Sequence, residues 1–165
     1  MPDVHTPTLY AIAWAVGLLL IGGLMTPRGD WYEKLQKPSW QPPGWLFGPA
    51  WTAILGLAAW AGVRTWALAT PAQQTDILIV FAVNGVFHLL WSPLFFRSRR
   101  PDWALGEVPF LWASVVAMIV ALGPIELFSA LLLAPYILWV SFATFLNWTI
   151  VRLNPRPLAA ARTSG

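Results

Sequence analysis

Five long stretches of this chain carry no formally charged side chain: residues 6–27, 38–63, 77–96, 108–125 and 127–151. Each can cross a bilayer, because a helix rises about 1.5 Å per residue and a span takes roughly 20 apolar residues. Inside lipid every backbone polar group must find a partner within the protein, which leaves helices or closed barrels. None of the five shows the ten-residue alternation of a barrel strand. The chain is therefore expected to be an all-α membrane protein, a five-transmembrane-helix bundle forming one domain over residues 1–165. Its helices should lie near 8–26, 44–68, 76–96, 103–123 and 127–151. Residues 1–8 hold no Lys or Arg, so the first stretch reads as a retained span rather than a secretory signal.

Hydrophobic residues make up 58% of the chain and charged ones 10%, far from a water-soluble mixture. The absence of cysteine excludes thiol catalysis, disulfides and Cys-ligated metals. A net charge of +3 does not point to nucleic acid, since the cations sit in short loops and form no continuous face. They set orientation instead. Arg28, Lys34, Lys37, Arg97, Arg99, Arg100, Arg152, Arg156 and Arg162 fall on one side of the expected spans, and Arg64 alone falls near the other. By the positive-inside rule the C-terminus is expected in the cytoplasm and the N-terminus outside.

Prolines at 49, 93, 109, 124 and 135 each delete a backbone donor and crowd the preceding turn, so kinks or helix starts are expected there. Such kinks open a cavity between helices, or Gly56, Ala58, Ala59 and Gly62 close the bundle by tight packing. Twelve tryptophans exceed what interfacial anchoring demands. Trp14, Trp66 and Trp112 read as belt or lipid-facing residues. Trp31, Trp40, Trp45 and Trp51 cluster in and after a Pro-rich connection. Its prolines favour extended geometry, which suits an ordered lid over residues 27–43 that includes Tyr32, Lys34, Pro38, Trp40, Pro42 and Pro43.

Asn84, His88 and Trp91 recur at i, i+4 and i+7 and share a helix face. For His88 the simpler reading is an interhelical hydrogen bond; the sharper ones are a pocket wall or an axial haem ligand. Trp139, Ala143, Leu146 and Ile150 trace another face, adjoined by Asn147, where a large ring beside small neighbours leaves a slot. With Trp51 and Trp91 opposite, that slot suits a flat hydrophobic ligand held by stacking; plain core packing is the alternative. Seven acids and two histidines are scattered without nucleophile–base spacing, phosphate loop or paired carboxylates, so no firm catalytic residue and no metal site is expected. Glu107 reads as a partly immersed acid that snorkels or is hydrogen-bonded.

Four runs then identify a family. They are W-Y-E-K-L-Q-K-P-S-W-Q-P-P-G-W from Trp31, W-S-P-L-F-F from Trp91, W-A-L from Trp103 and P-Y-I-L-W-V-S-F-A-T-F-L-N-W from Pro135. In this order they resemble the motifs of the tryptophan-rich sensory protein/translocator protein (TspO/MBR) family. The resemblance implies a five-helix bundle, often a homodimer, that binds porphyrins such as protoporphyrin IX and, in animal members, cholesterol and benzodiazepine-type drugs. It places Trp51, Trp91, Trp103, Ala143 and Leu146 at ligand-pocket positions and makes the first loop a lid. It matches Trp31 and Trp139 to a pair implicated in light-dependent porphyrin breakdown.

The chain also departs from the family: it carries His88 four residues after Asn84, Gln41 and Gly44 where some animal relatives have His, and Leu146, Trp148 and Arg152 in place of the sterol-associated pattern with a central Tyr. The expected function is a membrane receptor or regulator that binds a porphyrin, with no required cofactor, linked to tetrapyrrole regulation or stress responses. Transport of tetrapyrroles or sterols and light-dependent porphyrin degradation are the alternatives.

Overall fold

The computed structural model describes residues 5–155, so Arg156 and Arg162 lie outside the described residues. Its helices are α1 (His5–Leu24), α2 (Asp30–Lys34), α3 (Phe47–Leu68), α4 (Pro71–Ser92), α5 (Pro101–Leu122), α6 (Leu127–Leu131) and α7 (Ala134–Leu153). A 3₁₀ turn, Gly44–Leu46, leads into α3, and a π-type turn, Pro93–Arg97, continues α4. Five helical units are long and apolar enough to span a membrane: His5–Leu24, Gly44–Leu68, Pro71–Arg97, Pro101–Leu122 and Leu127–Leu153. Among the described residues there is no strand.

The ends of these helices follow local chemistry that hydrophobicity alone does not report. α4 starts at 71 rather than near 76 because Thr70 and Gln73 form a reciprocal cap. Gln73 N–H donates to Thr70 Oγ1 (3.4 Å), Thr70 N–H donates to Gln73 Oε1 (2.9 Å), and Pro71 takes the first helical position. α5 likewise starts on Pro101 instead of 103. The last span is interrupted at 132–133, immediately before Pro135 in the first turn of α7. Beyond Pro93 the backbone widens, Ser98 N–H donating to Pro93 C=O at 2.9 Å. Within the connection at 27–43 the segment Asp30–Lys34 is helical rather than extended, since no proline falls between Pro27 and Pro38.

α4 packs on α5, α5 on α7, and α1 on both α3 and α4. Trp14 lies inside the α1–α4 contact and does not face lipid: its indole N–H donates to Phe81 C=O (3.0 Å) and its ring meets Phe81 edge-on at 5.1 Å. Gly85 makes room for it, since a Cβ there would approach Trp14 Nε1 to 3.2 Å. Trp66 is half-buried against the core, while Trp112 is 43% exposed and donates to Ser141 Oγ at 3.0 Å. Along α3, Ala58, Ala61 and Gly62 are buried, and a Cβ on Gly62 would come within 3.0 Å of the Phe81 ring. The second half of α3 thus packs tightly while its first half borders open space.

The two ends of the bundle are tied differently. At one end Asn154 clamps the lid to α7, accepting from Gln36 N–H (2.9 Å) and donating to Gln36 C=O (2.9 Å). At the other, Arg64 reaches across from α3 to Glu126, which also accepts from Ser129 Oγ. The guanidinium and the Ser129 hydroxyl hold the Glu126 carboxyl below its usual value of 4.5. A carboxylate depressed in the folded state contributes stability that is fully present above the unfolded value and is lost as pH falls through the folded one. The thermal midpoint in detergent should therefore drop as pH is lowered below 4.5, and Glu126→Gln should flatten that drop; equal pH profiles for the two proteins would refute the clasp.

Candidate functional site

A cavity of about 270 Å³ lies at the lid end of the bundle and draws its wall from all five spans. α1 gives Leu18, Leu19, Gly22, Gly23 and Thr26; α3 and its leading turn give Gly44, Phe47, Gly48 and Trp51. His88, Trp91 and Ser92 come from α4, Phe95 and Phe96 from the turn after it, Val108 and Leu111 from α5. The α7 wall is Trp139, Val140, Ala143, Leu146, Asn147 and Ile150. The wall recedes at Gly22, Gly23 and Gly48, where an added Cβ would meet nothing within 4 Å. Two residues at the lid end complete the site: Arg28, whose guanidinium lies directly over Gly44 and makes no ion pair among the described residues, and Tyr32.

Trp51 is the hub of the aromatic wall. Its ring stands edge-to-face on His88 (4.7 Å, 87°), Tyr136 (5.9 Å, 88°) and Trp139 (6.3 Å, 82°). Each such pair contributes about 0.5–1.5 kcal/mol beyond burial, and perpendicular rings leave gaps that parallel stacks would close. Phe95 lies stacked on Trp91 at 5.1 Å.

Behind this wall runs a buried polar chain. His88 Nδ1 is 2.9 Å from the Tyr136 hydroxyl, which donates to Asn84 Oδ1 at 3.0 Å. Asn84 Nδ2 donates to Ser114 Oγ (2.9 Å), and Ser114 Oγ donates to Leu111 C=O (2.6 Å). The chain links α4, α5 and α7 without charge, as a low-dielectric interior requires. His88 thus both bonds another helix and lines the cavity. Asn147, with its amide turned so that both ends pair, accepts from Leu105 N–H and donates to Pro101 C=O, each at 3.1 Å.

Of the residues singled out from sequence, Trp51, His88, Trp91, Trp139, Ala143 and Leu146 converge on the cavity. Asn84 is fully buried one step behind it. Trp103 is not brought in: it is 53% exposed, with Arg100 4.5 Å above its ring. Ala104, Val108 and Leu111 define the inward face of α5, and position 103 lies about 100° off Ala104 around the helix. Trp31 is also absent from the wall and packs edge-on against Phe95 at 6.2 Å. In the lid, Tyr32 reaches the cavity, and Lys37 pairs with Glu33 (3.6 Å) and covers the Tyr32 ring at 4.1 Å. Trp40 stacks on Phe145 at 5.2 Å outside the cavity. Lys34, Pro38, Pro42 and Pro43 belong to the lid backbone without lining the space.

Glu107 does not snorkel: it is 6% exposed, and neither carboxylate oxygen has a hydrogen-bond partner among the described residues. The α1 wall was missed from sequence; its one signal is the small pair Gly22 and Gly23 followed by Thr26, whose hydroxyl lies 3.2 Å from Ser92 Oγ.

A five-span helical bundle with an uncharged polar chain and an aromatic cavity under a tethered loop defines an integral multi-pass membrane protein with an internal cavity. The TspO/MBR family profile matches residues 9–153. The chain is 34% identical to the tryptophan-rich protein TspO of Chlorobaculum tepidum over 154 residues, covering 89% of this chain and 98% of that one. It is 37% identical to the tryptophan-rich sensory protein of Cereibacter sphaeroides (85% and 87% covered) and 32% identical to the human translocator protein (75% of each). The chain belongs to the TspO/MBR family.

Removing the Tyr136 hydroxyl strands Asn84 Oδ1 and His88 Nδ1 together. Tyr136→Phe should destabilise the protein in detergent by about 1 kcal/mol, within the range found for hydrogen bonds between membrane helices. A midpoint equal to that of the parent would show that the chain carries no stability.

Proposed function

We propose that this protein is a membrane receptor or regulator that binds a porphyrin in the cavity beneath its lid. The observation that carries this reading is the arrangement of Trp51, Trp91 and Trp139 with Ala143 around an apolar space whose mouth holds Arg28, a cation without an ionic partner among the described residues. A flat, apolar ring with carboxylates on one rim matches both features: the face lies on indoles, and the acid end meets the guanidinium. A sterol offers no carboxylate to Arg28, so a tetrapyrrole fits better. The volume of about 270 Å³ is just under the roughly 300–1,000 Å³ of pockets that enclose drug-sized ligands. The macrocycle therefore enters edge first, with its acidic rim left at the mouth.

The same reading sets orientation and assembly. Arg28, Lys34, Lys37, Arg97, Arg99, Arg100 and Arg152 sit at the cavity end of the bundle and Arg64 at the opposite end, which by the positive-inside rule turns the mouth to the cytoplasm and the N-terminus outside. A shallow groove between α1 and α3, with Ala11, Gly56 and Ala59 along it, admits the close helix approach of a homodimer. Light-dependent degradation would bring Trp31 and Trp139 to one macrocycle, and only Trp139 borders the cavity, so binding stands ahead of catalysis.

Protoporphyrin IX should quench the tryptophan fluorescence of the purified protein saturably. Ala143→Phe, which fills the slot without touching the polar chain, should weaken binding by more than about tenfold, since the lost macrocycle contacts each count for up to about 1.5 kcal/mol. Trp139→Ala should weaken it several-fold. Unchanged quenching in both variants would place any porphyrin site elsewhere.

A further inference from the structure

The proton positions in the buried polar chain follow from its fixed end. Leu111 C=O can only accept, so the Ser114 hydroxyl spends its one proton there, at 2.6 Å. Ser114 Oγ is then an acceptor for Asn84 and takes the amide nitrogen at 2.9 Å, which turns Asn84 Oδ1 toward Tyr136. That oxygen takes the phenolic proton at 3.0 Å. The Tyr136 oxygen can now only accept, so His88 Nδ1, 2.9 Å away, is the donor. A neutral imidazole has one N–H, and no acid forms an ion pair with His88 among the described residues. Nε2 is left with a free lone pair, the ring's one hydrogen bond among the described residues being that at Nδ1, and the ring lines the cavity. The ring cannot readily turn, being bonded at Nδ1 and pressed by the edge-to-face Trp51 at 4.7 Å.

We propose that His88 Nε2 is a pre-set axial nitrogen ligand in the cavity wall, so that the site prefers a porphyrin carrying a Lewis-acid metal over the metal-free ring. This rests on the porphyrin reading above and adds the metallation state of the ligand. The structural parallel is the metal-binding histidine whose second nitrogen is fixed by an outer hydrogen bond, which sets the tautomer and aims the lone pair. The described residues hold no cluster of three or more His, Asp or Glu that would bind a bare ion. The metal therefore arrives inside its macrocycle and takes one protein ligand. Tyr136 acts as a positioning residue: it does not touch the metal and works by directing the proton on His88.

Zinc protoporphyrin IX is the suitable probe, since zinc held in a porphyrin takes a single axial nitrogen and does not change oxidation state. Titrated in parallel with protoporphyrin IX, it should bind the parent protein about tenfold tighter, with a red-shifted Soret band. The ratio of the two affinities should collapse to near one in His88→Phe and fall only part of the way, by about two- to fivefold, in Tyr136→Phe, where the ligating nitrogen remains but the outer hydrogen bond that orients it is lost. With only two histidines in the chain, a ¹⁵N-histidine spectrum reads the tautomer directly: Nε2 of His88 should appear as the unprotonated nitrogen, and the two tautomers should mix in Tyr136→Phe. Equal affinities without a Soret shift, a shift that survives His88→Phe, or a protonated Nε2 would overturn the assignment while leaving porphyrin binding in place. Failure of both porphyrins to bind would overturn the pocket reading itself, and the axial role with it.

Discussion

A side-chain dipole inside a bilayer has no water to turn to, and the run from His88 through Tyr136, Asn84 and Ser114 to Leu111 is how this bundle meets that constraint. Its protons run one way: Tyr136, Asn84 and Ser114 each both donate and accept, and the terminal acceptor is a backbone group that cannot change role. Because the links come from α4, α5 and α7, pairing them fixes the relative depth of three helices. The cavity wall on that side is the outer surface of this network, so the geometry available to a ligand is set by hydrogen bonds the ligand never touches.

Why a space persists beside so tight a core is a question of shape. Around Trp51 the rings meet at 82° to 88°, and edge-to-face rings leave voids that stacked rings do not. The prolines contribute at the mouth. The wide turn at Pro93–Arg97 puts Phe95 and Phe96 beneath the lid, and Gly22 and Gly23 withhold side chains from the facing wall. In the second half of α3 the reverse holds: the Phe81 ring sits so close to Gly62 that an added Cβ would come within 3.0 Å of it, and no space remains. Tight packing and an open cavity are the two ends of one helix bundle.

These two ends were not equally legible in the sequence. Five charge-free stretches gave the spans, since the bilayer leaves few solutions for such runs. Trp51, His88, Trp91, Trp139 and Ala143 were legible because helical spacing put polar or large residues beside small ones. The α1 wall was not: Leu18, Leu19 and Gly22 look like any lipid-facing helix until a partner helix is placed against them. Trp14 and Trp103 were read in the wrong direction for one physical reason, that rotation of a helix about its axis is set by its neighbours. α5 turns Ala104 inward and so sends Trp103 out, while Gly85 draws Trp14 in. The short extension of α4 depended on Thr70 and Gln73, a polar pair that hydrophobicity does not register.

The lid shows how unevenly the cover of the cavity is held. Lifting it as a unit would break both Asn154–Gln36 hydrogen bonds, expose the buried Leu35 and separate Trp40 from Phe145. Moving Arg28 alone breaks no ion pair among the described residues, and the group beneath it is Gly44, which has no side chain to resist. Any side chain at position 44 would collide with the guanidinium where it now rests. The cheapest opening of the site is thus a rotation of one flexible, charged side chain over a glycine, with the lid held in place. In the proposed porphyrin complex, a mouth built in this way puts its cation at the point that the acidic rim would reach last, once the apolar face is already inside.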